Sequence, residues 1–231
     1  MDSARAMLST LMVRLVSLAS DPRSCTEVRG GGIVTLMRLL MVAPPGAGKG
    51  TQAARLASHY GMAHLSSGEL LRREVAAGTE IGREAAAYLE RGDLVPDELV
   101  IEILTKPVLD SVEHGGGYVL DGFPRTERQA EEAHQVAQQV EGIELQAVVH
   151  LDVSRDEVRR RLLARARREG RSDDTEATIA HRLEVYDAQT QPLLAYYAGR
   201  GLVVDIDGEQ PVEKVFADTV EALDSLRAGR R

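Results

Sequence analysis

Five short apolar runs, each followed by a stretch with helical spacing, limit what this chain can fold into. They are LLMVA (39–43), MAHLS (62–66), YVLDG (118–122), AVVHLDV (147–153) and LVVDID (202–207). Between them lie segments such as TQAARLASHYG, ELVIEILTKPVLDSV and TERQAEEAHQVAQQV, whose apolar residues recur three or four apart. Strands that alternate with helices pair in parallel and carry helices on both faces of the sheet. The runs are nearly continuous in their apolar character, as expected of strands covered on both sides. At 231 residues, 43% of them hydrophobic, the chain supports one well-cored α/β domain with small insertions.

Open parallel sheets bind ligands beyond the carboxyl ends of their strands. The first run is followed there by PPGAGKGT, the second by SSGELLRR, the third by DGFPRTERQ and the fourth by RDEVRRRLLARARREGRSDD. Glycines, hydroxyls and arginines thus gather where a phosphate ligand would lie. Gly46, Gly48 and Gly50 allow the backbone to curl so that successive N–H groups converge on one anion. A helix opening near Lys49 adds its positive end, and Lys49 can reach the outer phosphates as a point charge. The stretch departs twice from G-x-x-x-x-G-K-[ST]. Ala43 stands where the first glycine belongs, and Gly50 displaces the hydroxyl to Thr51. Along a helix one step turns a side chain by about 100°. Thr51 is therefore not expected to ligate magnesium directly, and Asp121, at the end of the third run, is the candidate acid. Asp121 could instead cap the turn that follows it. Ala43 is harmless at negative φ and costly at positive φ.

The net charge of −8 argues against a general nucleic-acid binder. Cys25 is the single cysteine, so no disulfide framework or cysteine-built zinc site can form. No apolar run is long enough to span a membrane, and a cytoplasmic monomer is expected. Residues 1–36 are unlike the rest. They read either as a targeting peptide or as an appended or mis-assigned start ahead of Met37; Asp2, Arg14 and the absence of a clear cleavage site favour the second.

PGAGKGTQ, SSGELLR, GDLVP, DGFPRTERQ, RSDD and HRLEVY occur together in one order, and in that order and at that spacing the chain resembles the adenylate kinases, from Met37 to about Leu226. In those enzymes G-K-G-T is the ordinary ending of the loop. The resemblance implies a P-loop NTPase-type parallel five-stranded sheet with helices on both faces. It also implies a small AMP-binding insertion (66–95) and a short lid (about 165–172), similar to the actinobacterial form and too short for a zinc cluster. It implies phosphoryl transfer from MgATP to AMP, giving two ADP, within a domain spanning 37–231. ATP would be held by Gly46, Ala47, Gly48, Lys49, Gly50, Thr51, Arg161 and Arg165, with the backbone near Gln210 against its base. AMP would be held by Ser67 and Arg72, by the Asp93, Leu94 and Val95 backbone, and by Gly122, Phe123, Pro124, Arg125, Gln129, Arg171 and Arg182. Lys49, Arg125, Arg165, Arg171 and Arg182 would surround the transferred phosphoryl, with Asp173 and Asp174 holding lid arginines or capping the next helix.

Residue chemistry bears on several of these roles. An arginine fork suits phosphate oxygens, and Arg161 and Arg165, four apart, share a helix face. Arg73, Arg159, Arg160 and Arg167 read as solvated. Gln129 presents a donor and an acceptor together, which suits adenine. Asparagine is usual there in the uridylate and cytidylate kinases, the nearest alternative. A nucleotide-binding module without catalysis is a second alternative. Phosphoryl transfer needs positioning and electrostatic stabilisation more than a protein base, so none of the histidines is assigned one. Closure of lid and insertion over both substrates would keep water out.

Overall fold

The computed structural model describes residues 28–29, 32–33, 37–113, 116–138, 144–169 and 175–229. Apart from a two-residue antiparallel pairing of Val28–Arg29 with Gly32–Ile33, residues 1–36 lie outside that description. From Met37 the elements run β1 (Arg38–Val42), α1 (Lys49–Tyr60), β2 (Ala63–Ser66), α2 (Ser67–Ala77), α3 (Glu80–Arg91) and α4 (Asp97–Glu113). They continue as β3 (Tyr118–Asp121), α5 (Glu127–Ala137), β4 (Ala147–Asp152), α6 (Arg155–Glu169) and α7 (Glu176–Val185). A π-helical segment, Tyr186–Thr190, leads into α8 (Gln191–Ala198), followed by β5 (Val203–Asp207) and α9 (Val212–Gly229). Each expected strand is present within a residue or so at either end.

The strands form one parallel sheet in the order β2-β3-β1-β4-β5. Leu40 of β1 is in register with Leu120 of β3 on one side and Val148 of β4 on the other. After β1 the chain crosses to the far edge, whereas β4 and β5 extend the opposite side. The reversal opens a crevice at the carboxyl ends of β1 and its neighbours.

The two faces of the sheet are read off β1 by its period of two. Leu39 and Met41 point into a cluster with Leu56 of α1, Val158 and Leu162 of α6 and Leu223 of α9. Leu40 and Val42 point the other way, onto Ala130 of α5 and Leu193, Tyr196 and Tyr197 of α8. Leu39, Leu40, Leu56, Leu162, Leu193 and Leu223 are wholly buried; burial of such a side chain contributes roughly 1.5–3 kcal/mol. A third cluster, with Leu65, Leu71, Ala85, Val95, Val100, Leu104 and Tyr118, packs α2 and α3 against α4 and the β2–β3 edge. The insertion expected at 66–95 is this helical pair with the turn that returns from it.

Side-chain caps mark three of the helix starts. Ser66 Oγ accepts from Glu69 N at α2, Thr79 Oγ1 from Gly82 N at α3, and Thr175 Oγ1 from Thr178 N at α7. Thr175 therefore caps α7, the alternative role given to Asp173 and Asp174. The short lid was expected from about residue 165. Arg165 to Glu169 continue helix α6, because nothing in that arginine-rich run breaks a helix before Gly170. Arg171, Asp173 and Asp174 lie outside the described residues. On either side of them, Arg159 of α6 pairs with Glu176 of α7 at 3.3 Å, and Arg155 pairs with Asp187.

Candidate active site

The loop from Ala43 to Gly48 leaves β1 and enters α1. Gly46 and Gly48 sit at φ 87° and 97°, angles that side chains rarely adopt. A methyl on Gly46 would also lie 2.5 Å from Leu162 Cγ, so the loop is wedged against α6. Helix α1 begins without a side-chain cap and without an acid in its first turn. Its orphan N–H groups and dipole therefore face the crevice uncompensated, as an anion site requires.

Among the described residues no non-glycine residue has positive φ. Ala43 is thus at ease, 3% exposed in the core, and the missing glycine leaves no strain. The Ala43 carbonyl accepts from Lys49 Nζ at 3.1 Å, which holds the ammonium over the loop. Burial lowers the Lys49 pKa; nearby Asp121 opposes this, while Arg125, Arg182 and Arg165 push it further down. A methyl on Gly50 would meet Asp121 Oδ2 at 3.5 Å, an ordinary van der Waals contact, so Gly50 and Asp121 are neighbours in space.

Asp121 ends β3 and is 9% exposed. Burial alone would raise its pKa. His64, Lys49 and Arg125 outweigh that effect and hold the carboxyl below its ordinary range. His64 Nε2 stands 3.9 Å from Asp121 Oδ2, too far for a hydrogen bond but close enough for charge to be felt.

A cleft of about 760 Å³ lies over these groups. Its lining includes Gly46, Ala47, Gly48, Lys49, Gly50 and Thr51 from the loop, and Arg161 and Arg165 from α6. Arg72, Leu94, Gly122, Pro124, Arg125, Arg182 and Gln210 line it from the other elements. Arg161 donates to the Ala47 carbonyl at 3.3 Å and to Glu157 at 2.6 Å, which ties α6 to the loop. Burial lowers the proton affinity of Arg125, which Asp121 opposes and Arg182 and Arg72 reinforce; a guanidinium remains charged nonetheless. Arg72 faces the cleft, whereas Arg73, Arg160 and Arg167 are exposed, as their positions suggested.

Other expected site residues stand behind the wall. Ser67, 1% exposed, donates to the Gly122 carbonyl at 2.9 Å and so joins α2 to the loop after β3. Gly122, expected to hold AMP, does line the cleft, at φ 94°. A methyl there would meet Ser67 Oγ at 2.5 Å and Arg125 Nη2 at 2.8 Å, so its need for glycine comes from inside the protein. Phe123 packs into the third cluster, and Val95 is buried there. Asp93 is held by Arg91 at 2.7 Å and by His181 of α7 at 2.7 Å; these two contacts lower its pKa. Gln129 is 5% exposed, and its amide is engaged by Arg125, Thr126 and Asp97.

The cleft also has walls that the motifs did not announce. Leu162, Tyr186, Thr190, Pro211 and Val212 line it. Gln52 Nε2 donates to the Val212 carbonyl at 3.0 Å, which ties α1 to the loop after β5. An apolar residue inside an arginine-rich helix was the one available hint, at Leu162.

A phosphate-binding loop at a helix start, with a buried lysine and arginines converging from other segments, defines a nucleotide-dependent phosphotransferase. The family model described as adenylate kinase matches residues 41–202. An adenylate kinase of Bacteroides fragilis is 42% identical over 191 residues, 83% of this chain and 100% of that relative. One of Thermobifida fusca is 46% identical over 189 residues, 82% of this chain and 99% of its own length. One of Thermus thermophilus is 44% identical over 185 residues, 80% and 96% respectively. The chain belongs to the adenylate kinase family.

Replacing Ala43 by glycine tests the loop. Because Ala43 is unstrained, glycine should lower stability by about 1 kcal/mol or less through chain entropy and leave ATP saturation kinetics unchanged. Melting curves beside ATP titrations check both; a faster and more stable variant would contradict the negative φ.

Proposed function

We propose that this chain catalyses reversible transfer of the γ-phosphoryl of MgATP to AMP, giving two ADP, as a cytoplasmic monomer that maintains adenine nucleotide balance. The observation that carries the reading is the shared cleft. It joins the loop and α6, which suit a triphosphate, to Arg72, Leu94 and Arg125, which suit an acceptor monophosphate. The cluster of cations around Lys49 mutually depresses proton affinities, so it is built for a polyanion that relieves the repulsion.

In this reading Gly46, Gly48 and the first turn of α1 hold the β-phosphate, while Arg161 and Arg165 grip the ATP phosphates from α6. Gly208, Gln210 and Pro211 offer wall to the ATP base. Arg72 and Arg125 orient the AMP phosphate, and Arg182 approaches the same space from α7. Charge spreads over the equatorial oxygens of the moving phosphoryl, and fixed cations at that point lower the barrier without reorganising. The attacking phosphate is an anion already, so no residue need remove a proton from it.

Magnesium fits the acid present. Asp121 is a hard oxygen donor, held ionised, at the loop that would carry the phosphates. Bound there with ATP, the metal would neutralise phosphate charge; Asp121 would orient it through water, with no direct protein ligand.

A coupled assay for ADP from ATP with AMP, beside UMP, CMP and GMP, tests the reading: AMP should be preferred by at least about tenfold in kcat/KM. Equal or better use of UMP or CMP would favour a pyrimidine nucleotide kinase. Lys49→Met should reduce kcat by about two orders of magnitude or more while circular dichroism shows an intact fold; near-normal turnover would remove Lys49 from the reaction. Residues 1–36 are assigned no part in catalysis, since Met37 already lies in the core and the Bacteroides fragilis relative aligns in full with 191 residues of this chain. Deleting them should leave the melting temperature and kcat/KM unchanged; a large fall in either would show that they pack on the domain.

A further inference from the structure

Gln129 is an amide whose hydrogen-bonding valences can be counted. Its Oε1 has two lone pairs, and it accepts from the backbone N–H of Arg125 at 2.6 Å and of Thr126 at 3.3 Å. Its Nε2 has two N–H bonds, and one is donated to Asp97 Oδ1. Both sets of contacts select the same amide orientation. Backbone N–H groups can only donate, and an ionised carboxylate can only accept. Asp97 is itself fixed. It opens helix α4, its side chain is 14% exposed, and its other oxygen accepts from Arg128. With the oxygen saturated and one N–H spent, a single N–H is what Gln129 has left for a ligand.

We propose that Asp97 is a specificity-determining positioning residue, which acts by turning Gln129 into a donor-only reader of the acceptor base. The proposal rests on the reading above that Gln129 meets the AMP base once the nucleotide is seated. A lone donor matches a base whose Watson–Crick edge carries a ring acceptor at its centre, as adenine does at N1. Hypoxanthine and guanine carry N1–H at that place, and uracil carries N3–H. Two donors facing each other leave both unpaired in a dry site, and such a mismatch costs far more than a missing contact. Cytosine also presents an acceptor, so its rejection falls to ring size rather than to this amide. The pattern differs from the pairing suggested by the sequence, in which Gln129 offered both its donor and its acceptor.

AMP and inosine monophosphate are the discriminating pair, since the latter replaces the N1 acceptor by N1–H and the amino group by a carbonyl. Asp97→Ala frees the Gln129 amide. The ratio of kcat/KM for AMP over inosine monophosphate should then fall at least about tenfold, through a higher KM for AMP, while kcat changes little. Asp97→Asn keeps an oxygen acceptor in the same place and should retain the ratio. Equal losses with both nucleotides in Asp97→Ala, or a collapse of the ratio in Asp97→Asn, would overturn the proposal. Gln129→Ala separates the two levels. If it leaves the ratio unchanged, the base is not read by Gln129 at all; if it lowers the ratio while Asp97→Ala does not, the role of Asp97 alone is wrong. Should Asp97→Ala fail to fold, nitrogen-15 spectra of the unaltered protein decide. On AMP addition one of the two Gln129 side-chain protons should shift and the other hold its position, and inosine monophosphate should not reproduce this. Movement of both protons together, or of neither, would overturn the proposal.

Discussion

The structure depends on keeping like charges together in a place where they repel. Lys49 and Arg125 feel each other and Arg182 across a single cleft, Arg165 adds to this at Lys49, and burial adds to the cost of the charge on Lys49 and on Arg125. Groups so placed gain little from folding by themselves. They stay because the surrounding scaffold fixes them: β1 and β3 place their ends side by side, and the Ala43 carbonyl and Asp121 receive part of the charge. The arrangement is stabilised further by any ligand that brings several negative charges at once. Binding energy and catalytic stabilisation thus come from the same source, and the chemistry needs no protein base.

That scaffold depends on close contacts that carry no charge. Leu162 closes on Gly46 so tightly that a side chain could not be added to the loop. Ser67 bonds to the Gly122 carbonyl, and Gly122 admits Arg125 beside it. Arg161 reaches the loop carbonyl at Ala47 and Gln52 reaches the carbonyl of Val212. Each of these joins a different crossover connection to the next, so the ends of separate strands are held in one fixed relation. A small displacement in any of them would be felt at the reacting atoms, where about 1 Å matters.

The acceptor side is built differently from the phosphate loop. It rests on its own apolar cluster at the sheet edge and meets α7 through Asp93 and His181. Of the residues expected to hold AMP, Arg72, Leu94, Gly122, Pro124, Arg125 and Arg182 line the cleft, and others stand behind them. Ser67, Val95, Phe123 and Gln129 shape the wall rather than forming it. In the role proposed for Asp97 and Gln129, side chains in that layer control orientation.

Much of this was legible in the sequence. Alternating apolar runs determined a parallel sheet with covered faces, since no other arrangement buries continuous apolar strands joined by helices. The glycine loop and Lys49 followed from the motif and its place between a strand and a helix, whereas Arg72 over Arg73 and Arg161 and Arg165 over their neighbours came from the resemblance. Other features were decided only by tertiary structure, because they depend on what lies opposite each residue. Ala43 lacks the expected glycine, yet no non-glycine among the described residues has a positive φ. Helix α6 runs on past Arg165, and Thr175, not an aspartate, starts α7. The Gln129 amide looked two-sided on paper. Neighbours up to 32 positions away in the chain use all but one of its valences, and a list of residues does not record such long-range hydrogen bonds.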